Sequence, residues 1–561
     1  MSRIDKSTPV SPTFDQFYNS KGEFRKAPVN KRVIYLSIQA VGNAIVIGLF
    51  AKILVSLILL ITNISFYGRL SFQPVSPAGN QLGWLVVFVP VAGSLLVGIM
   101  ARYGSKAIRG HGIPEAMEKI IMEDSKIPPI ITFLKPLSAA ISIGTGGPFG
   151  AEGPIIATGG AFGSLTGQLM HISPTERKII LTAGACAGMS AIFGSPLAAV
   201  LLAIELLLFE FSPRSIIPVS LACIAGAGMH MFLFDNSPVF SMAAIPVPST
   251  GALGIYILLG FLVGIIASLV SKSVYVAEDL FEKLPVHWMW WPAIGAVAVG
   301  IIGYFAPFTM GVGYDNIQHL LTGSLPLTML FSLCFLKYIS WVVALGSGTS
   351  GGTLAPLFTI GGALGALLGT ATLHYFPSLD INIPTAALIG MAAMFAGASR
   401  ALLTSVVFAL ETTGQMNGLL PLLGACAAAY FISFFLMKGS IMTEKIQRRG
   451  IHTPDSYEPD VLQTTNVSQL VTPIPVETEN MPYVYTTDDA GLAAEMMGKY
   501  SQDTLLVLDN KKSRKPIGII TTAAIMEFYS SQKQKDHQYN SPNRTRRLMV
   551  QGRKLVKKMR K

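Results

Sequence analysis

The sequence predicts an all-α polytopic membrane protein followed by a small α/β module, and three observations lead to that fold class. Of the 561 residues 51% are apolar and only 13% charged, with a mean hydropathy of +0.52, whereas an average soluble domain is about a quarter charged. Uncharged stretches are long enough for a bilayer core, which takes about 20 residues to cross. Val33 to Tyr67 carries one charge, Lys52, and Leu82 to Met100 carries none. The third observation is an internal repeat. At an offset of 202 residues Gly144–Pro154 (GTGGPFGAEGP) lies over Gly346–Pro356 (GSGTSGGTLAP), and the identities continue through Gly159/Gly361, Gly160/Gly362 and Gly163/Gly365. At an offset of 206, Leu197–Glu205 (LAAVLLAIE) lies over Leu403–Glu411 (LTSVVFALE).

Taken in order, residues 1–33 are a polar N-terminal segment with seven Lys/Arg against three Asp/Glu in the first 32. No apolar leader precedes the first span, and the basic flank favours a cytoplasmic N-terminus. Residues 34–449 form the membrane part, in two repeats, 34–235 and 250–438. Inside it Gly144–Gly167, Gly194–Leu208 and Gly346–Gly369 are too short or too broken by Gly and Pro for simple spans. Such interrupted pairs read as half-helices that meet at a site; the repeat by itself leaves a parallel or inverted arrangement open. Ser173-Pro-Thr-Glu176 is a capping box that opens a helix over Thr175–Ser190.

From Glu444 onward the composition is that of soluble sequence. Residues 464–530 contain strand patterns at Thr504–Asp509 and Ile517–Thr521 and a helix at Thr522–Tyr529, a small α/β module. The tail, 531–561, ends in 18 residues with nine basic and no acidic side chains, which supplies much of the net charge of +11. A like-charge block of this kind reads as a solvated tail, with contact to anionic lipid as the alternative; nucleic acid is not implied. The four cysteines lie singly in apolar segments and the eight histidines are scattered, so neither a disulfide framework nor a metal site is indicated. No nucleophile and base stand at a plausible spacing, so the chain does not read as an enzyme and no cofactor is called for.

An anion crossing a bilayer needs its hydration shell replaced by donors that let it leave again. Helix N-termini supply these as unpaired N–H groups backed by roughly half a positive charge. Three segments have the form: Gly110-His-Gly-Ile-Pro114, Gly150-Ala-Glu-Gly-Pro154 and Gly352-Thr-Leu-Ala-Pro356, each with proline where it can sit in a first helical turn. Glu152 is the one charged side chain between Lys135 and Glu176. An uncompensated charge near mid-bilayer costs on the order of 2.5–3.5 kcal/mol, so something must hold it. A carboxylate at a helix N-terminus can take the place of a passing anion and leave again, which makes Glu152 the candidate gate. A plain helix cap is the competing reading.

On these segments the chain resembles the CLC chloride channels and chloride/proton antiporters, whose patterns are G-S-G-I-P, G-(K/R)-E-G-P and G-x-F-x-P in this order and spacing over about 400 residues. Gly311–Tyr314 (GVGY), Pro196–Glu205 and Arg400–Glu411 add to the likeness, and the module resembles one CBS repeat with Val467–Thr472 as its opening turn. The resemblance implies inverted repeats of broken, tilted helices and a homodimer with one pore per subunit. It also implies that single CBS-like modules pair across the dimer, without implying a nucleotide. The anion path would be lined by His111, Gly112, Ile113, Gly150, Ala151, Gly153, Thr353 and Leu354, with the family's inner tyrosine replaced by Met442. Departures put selectivity in doubt: His111 stands for serine, Ala151 for a basic residue and Leu354 for an aromatic. Leu206 stands where chloride-type antiporters carry an internal glutamate. Glu205, one residue earlier and about 100° around a helix, is the remaining candidate for a proton path, while its repeat-mate Glu411 favours a structural role.

The expectation is therefore transport of small inorganic anions, most simply chloride, through a channel or weakly proton-coupled transporter gated by Glu152. It would be a multi-pass protein of the plasma (inner, if bacterial) membrane with both termini cytoplasmic. A fluoride/proton or chloride/proton antiporter is the rival within transport, and a membrane-embedded nucleotide sensor the rival of another class.

Overall fold

A computed structural model describes residues 31–234, 237–379, 381–448, 450, 462, 465–472, 481–509, 513 and 515–539, with side chains to 531. The N-terminal segment through residue 30 and the basic end of the tail lie outside the described residues. The described residues divide into two compact units, one within 27–455 and one from 456 onward.

The larger unit is helical throughout. Its first half runs α1 (Lys31–Tyr67), α2 (Phe88–Tyr103), α3 (Ile113–Met122), α4 (Ile131–Gly144), α5 (Glu152–Leu169), α6 (Pro174–Phe193), α7 (Pro196–Leu202) and α8 (Pro213–Leu233). The second half repeats the order as α9 (Thr250–Glu282), α10 (Trp291–Phe305), α11 (Tyr314–Thr322), α12 (Leu327–Gly346), α13 (Leu354–Tyr375), α14 (Ile383–Ser399), α15 (Leu402–Thr413) and α16 (Leu419–Leu436). Among the described residues eight helical segments, α1 among them, are long and apolar enough to cross a membrane. Phe232, Phe305 and Phe435 are 82%, 76% and 71% exposed on their outer faces, an orientation that only lipid makes favourable, since water would penalise such area.

The halves pack alike. α5 lies on α6 as α13 lies on α14, α1 on α8 as α9 on α16, and α2 meets α10 while α7 meets α15. Glycine sets the closest approaches: a Cβ on Gly159 would strike the Gly184 carbonyl oxygen, and the repeat-mates Gly361 and Gly390 touch in the same way. Small residues let membrane helices pack backbone to backbone in this manner. α6 opens one residue earlier than the sequence predicts, at Pro174, with both bonds of the Ser173/Glu176 capping box made, and ends where Gly194 turns left-handed at φ +59°.

The smaller unit has a sheet of β1 (Tyr483–Tyr485), β2 (Thr504–Leu508) and β3 (Pro516–Thr521), with β1 parallel and β3 antiparallel to the central β2. Its helices are α18 (Ala490–Tyr500) and α19 (Thr522–Tyr539); a short α17 (Glu444–Gln447) closes the membrane unit. Val467, Val484, Leu505, Val507 and Ile520 form its core, and Thr472 bridges to Ile519. α19 runs ten residues past the predicted Tyr529, because Ser530–Tyr539 is polar but contains no glycine or proline to stop it.

Candidate functional site

Four helix N-termini gather between the halves, one more than the three predicted. α3 follows Gly112 (φ +96°), α5 follows Ala151, α11 follows Gly313 (φ +76°) and α13 follows Thr353. The fourth loop, Gly311-Val-Gly313, is the repeat-mate of Gly110-His-Gly112. Its signal was available as an offset of 201 residues, but only the two glycines match and the register has slipped by one from the motif at 202.

The loops are bonded to one another. Gly150 N–H donates to Gly352 O at 3.3 Å and Gly352 N–H donates to Gly150 O at 3.0 Å. Two repeat-equivalent residues exchanging both bonds in an antiparallel bridge mark a local two-fold axis between them. Gly110 N–H donates to Thr349 O at 2.9 Å and Gly351 N–H to Gly110 O at 3.5 Å, which fastens the α3 loop to the α13 loop. Gly153 is pressed against the His111 carbonyl, where a Cβ could not fit.

Glu152 sits at this junction, fully buried. The Tyr314 hydroxyl donates to its Oε1 at 2.7 Å, and its Oε2 has no partner among the described residues. That second oxygen lies over the glycine bridge, 3.1 Å from where a Cβ of Gly352 would stand. His111 Nδ1 and Thr353 Oγ1 are likewise buried without a partner. Buried polar atoms are nearly always paired, yet here one is unpaired on each of the three predicted loops. The Thr353 hydroxyl was missed at the sequence level, where only its backbone donor was considered. Tyr314 was missed as a partner of Glu152, since nothing in sequence joins residues 162 apart. Its ring is held edge-on by Phe193 and Phe240, each at a centroid distance of 5.9 Å. A cavity of about 290 Å³ reaches the junction from one side, past Thr62, Pro77, Val312 and Tyr314 to Ala151.

The remaining predicted residues fall as follows. Ile113 and Leu354 are buried at the first turns of α3 and α13. Gly112 N–H is occupied by Glu115, whose Oε2 accepts it at 2.7 Å, so the α3 terminus is partly capped by its own side chain. Met442 is buried in the turn before α17, a turn fixed by Ile441 N–H donating to Ala398 O at 2.9 Å and by the Tyr275 hydroxyl donating to Ile441 O at 2.7 Å. Among the described residues no hydrogen bond joins Met442 to the glycine loops. The connection is made by Lys445, whose ammonium pairs with Glu115 Oε1 at 3.1 Å.

Glu205, the candidate proton carrier, is engaged elsewhere. It stands in a π-helical turn, Ala203–Leu208, and its carboxylate accepts the Leu403 and Thr404 N–H groups at 2.9 Å each and the Thr404 hydroxyl at 2.6 Å. Glu411 returns the favour, accepting Leu197 N–H at 3.0 Å and Ala198 N–H at 2.8 Å. Each half thus caps the other half's short helix. Leu206 is buried beside Glu205.

Half-helices from two related halves, meeting by their N-termini at a buried carboxylate and tied across a local two-fold axis, define a polytopic protein of the ion-transport class. The chain belongs to the voltage-gated chloride channel family, whose profile matches residues 92–434, more than half of it. It is similar to the H(+)/Cl(-) exchange transporter ClcA of Yersinia pestis bv. Antiqua (strain Angola), 29% identical over 410 residues, covering 69% of this chain and 84% of that protein. In fold it is similar to a slow cyanobacterial Cl-/H+ antiporter (TM-score 0.65, 23% identity, 73% of this chain and 97% of that one). A CLC-type fluoride/proton antiporter is also similar (TM-score 0.59, 21% identity, 74% and 98%).

Proposed function

We propose that the protein moves small inorganic anions, chloride foremost, across a cell membrane along a path that passes the four N-termini, with Glu152 as the gate. The observation that carries this is the half-satisfied state of Glu152: one oxygen is held by Tyr314 and the other is unpaired over the glycine bridge, beside the unpaired His111 and Thr353 side chains. The carboxylate stands in for the anion. When it is protonated or displaced, the N–H groups of Thr353 and Leu354, the Thr353 hydroxyl and the His111 ring become the donors that meet an incoming ion. Ile113, Ala151, Gly150 and Gly153 shape the approach, and Met442 closes the far side with an apolar surface where the family has a tyrosine.

Weak or absent proton coupling fits the cap role of Glu205, whose oxygens are committed to α15, and the apolar Leu206 next to it. Coupled exchange is the second reading, favoured by the likeness to the H(+)/Cl(-) exchange transporters ClcA. The working form is a homodimer in the plasma membrane with cytoplasmic ends, the 464–530 module pairing across it. No cofactor or enzymatic step is part of the reading.

Purified protein in liposomes, with chloride, fluoride or nitrate efflux and proton uptake recorded together, tests it. The expected result is chloride efflux with substoichiometric proton movement, and a Glu152→Gln variant whose efflux no longer varies with pH. Fixed-ratio uphill proton movement would select the exchanger instead, and efflux of none of the three anions would remove the reading.

A further inference from the structure

Two lysines are buried in the membrane unit with no carboxylate in direct ion-pair contact among the described residues, although Lys135 feels the charge of Glu115 at longer range, and the repeat relates them. Lys135 lies in α4 at 1% exposure and Lys337 in α12 at 0%, 202 residues apart, the same offset as the Glu152 and Leu354 segments. Their contacts match as well. Lys135 donates to the Ile108 and Gly110 carbonyls, at 2.8 Å each. Lys337 donates to the Thr309 and Gly311 carbonyls, at 3.1 and 3.5 Å. Each ammonium therefore grips residues i and i+2 of the loop that leads into a half-helix of its own half, α3 in one case and α11 in the other.

A buried charge is retained against its desolvation cost only when something compensates for it, and here two carbonyls do so in both halves. In a trans peptide the carbonyl and the following N–H point in opposite directions. Pinning the Gly110 oxygen to Lys135 turns the His111 N–H away from the lysine, and pinning the Gly311 oxygen to Lys337 does the same for the Val312 N–H. Gly110 and Gly311 adopt φ of +94° and +68° to allow it. Gly311, Val312 and Gly313 line the 290 Å³ cavity that reaches Ala151 and Tyr314, the neighbours of Glu152, and no residue of the 108–113 loop does. One lysine thus stands behind the mouth that opens through this cavity, the other behind a loop outside it.

We infer that Lys135 and Lys337 are a matched pair of positioning residues for anion passage: each fixes the peptide orientation of one glycine loop and, when protonated, sets a positive charge behind its donors. The inference rests on the anion-transport reading above. A fixed cation in low dielectric raises the local anion concentration at the mouth without touching the ion, so the lysines act through the loops and not as ligands.

The test compares wild type with Lys135→Met, Lys337→Met, the double variant and the two Lys→Arg variants in liposomes, measuring the half-saturating chloride concentration for efflux and the unfolding temperature. Each methionine change should raise half-saturation at least fivefold, the double variant should approach the product of the two, and arginine should restore most of the affinity. A purely structural role would lower the unfolding temperature and the active fraction while leaving half-saturation unmoved. If a methionine variant does not fold, Lys→Gln takes its place with the same expected rise. Half-saturation within twofold of wild type in a folded neutral variant overturns the inference. So does failure of both neutral variants to fold while the arginine variants are stable and saturate normally. Absence of saturable chloride efflux from the wild-type protein would instead remove the transport reading beneath it.

Discussion

At the residue scale the contact that matters most is the hydroxyl of Tyr314 on Glu152. A hydrogen bond to an ionised group is worth about 1.5–3 kcal/mol, and this one is made inside a fully buried site. It holds the carboxylate against displacement. Tyr314→Phe keeps the ring between Phe193 and Phe240 and deletes only the donor, so basal chloride efflux at fixed pH should rise about 10-fold or more by the energy of that bond. In a Glu152→Gln background the same change should alter efflux less than twofold, and an equal effect in both backgrounds would separate Tyr314 from the gate. Glu152 itself was legible in the sequence as a lone charge in a glycine-rich segment. Tyr314 and the Thr353 hydroxyl were not, because a side chain's partner across the fold leaves no local trace.

At the scale of elements, the short helices α7 and α15 depend on carboxylates from the opposite half. Loss of an N-terminal cap costs about 0.5–2 kcal/mol, and the two caps here are repeat-equivalent. Glu205→Ala and Glu411→Ala should therefore lower the unfolding temperature in detergent by similar amounts, with proton uptake per anion unchanged in Glu205→Ala. A change in that ratio without loss of stability would return Glu205 to a proton path. The likeness of LAAVLLAIE to LTSVVFALE was plain in the sequence and correctly joined the two helices as mates. Spacing alone could not tell that each glutamate reaches across to its mate's helix, since that depends on the two-fold arrangement and not on periodicity. The α11 loop shows the complementary difficulty: Gly311–Tyr314 is visible through the family likeness, but a pair of glycines with the register slipped by one carries too little information to stand out as a repeat-mate in a chain with 54 of them.

At the scale of the whole molecule the two units differ in how well each can stand alone. The membrane unit has a continuous core spanning both halves. Among the described residues the smaller unit has a core of eight buried apolar side chains around three strands, which is marginal for an isolated domain of this size. Residues 456–561 expressed alone should accordingly associate, with an unfolding temperature that rises with protein concentration; concentration-independent unfolding of a monomer would count against pairing of the modules. The sequence signals a division into membrane and soluble parts by the rise in charge density from Glu444, with the boundary expected near Arg449, while the compact units part between 455 and 456.

The exchange of caps between Glu205 and Glu411 also bears on how such a chain could arise and be made. A single half, inserted by itself, would leave the first N–H groups of its short helix bare and would hold a spare carboxylate with nothing to accept. A second copy of the same half would supply both missing pieces at once. The present chain therefore has the bonding pattern of two once-separate protomers written in tandem, and its two halves should complement each other when co-expressed as separate polypeptides cut between 237 and 249.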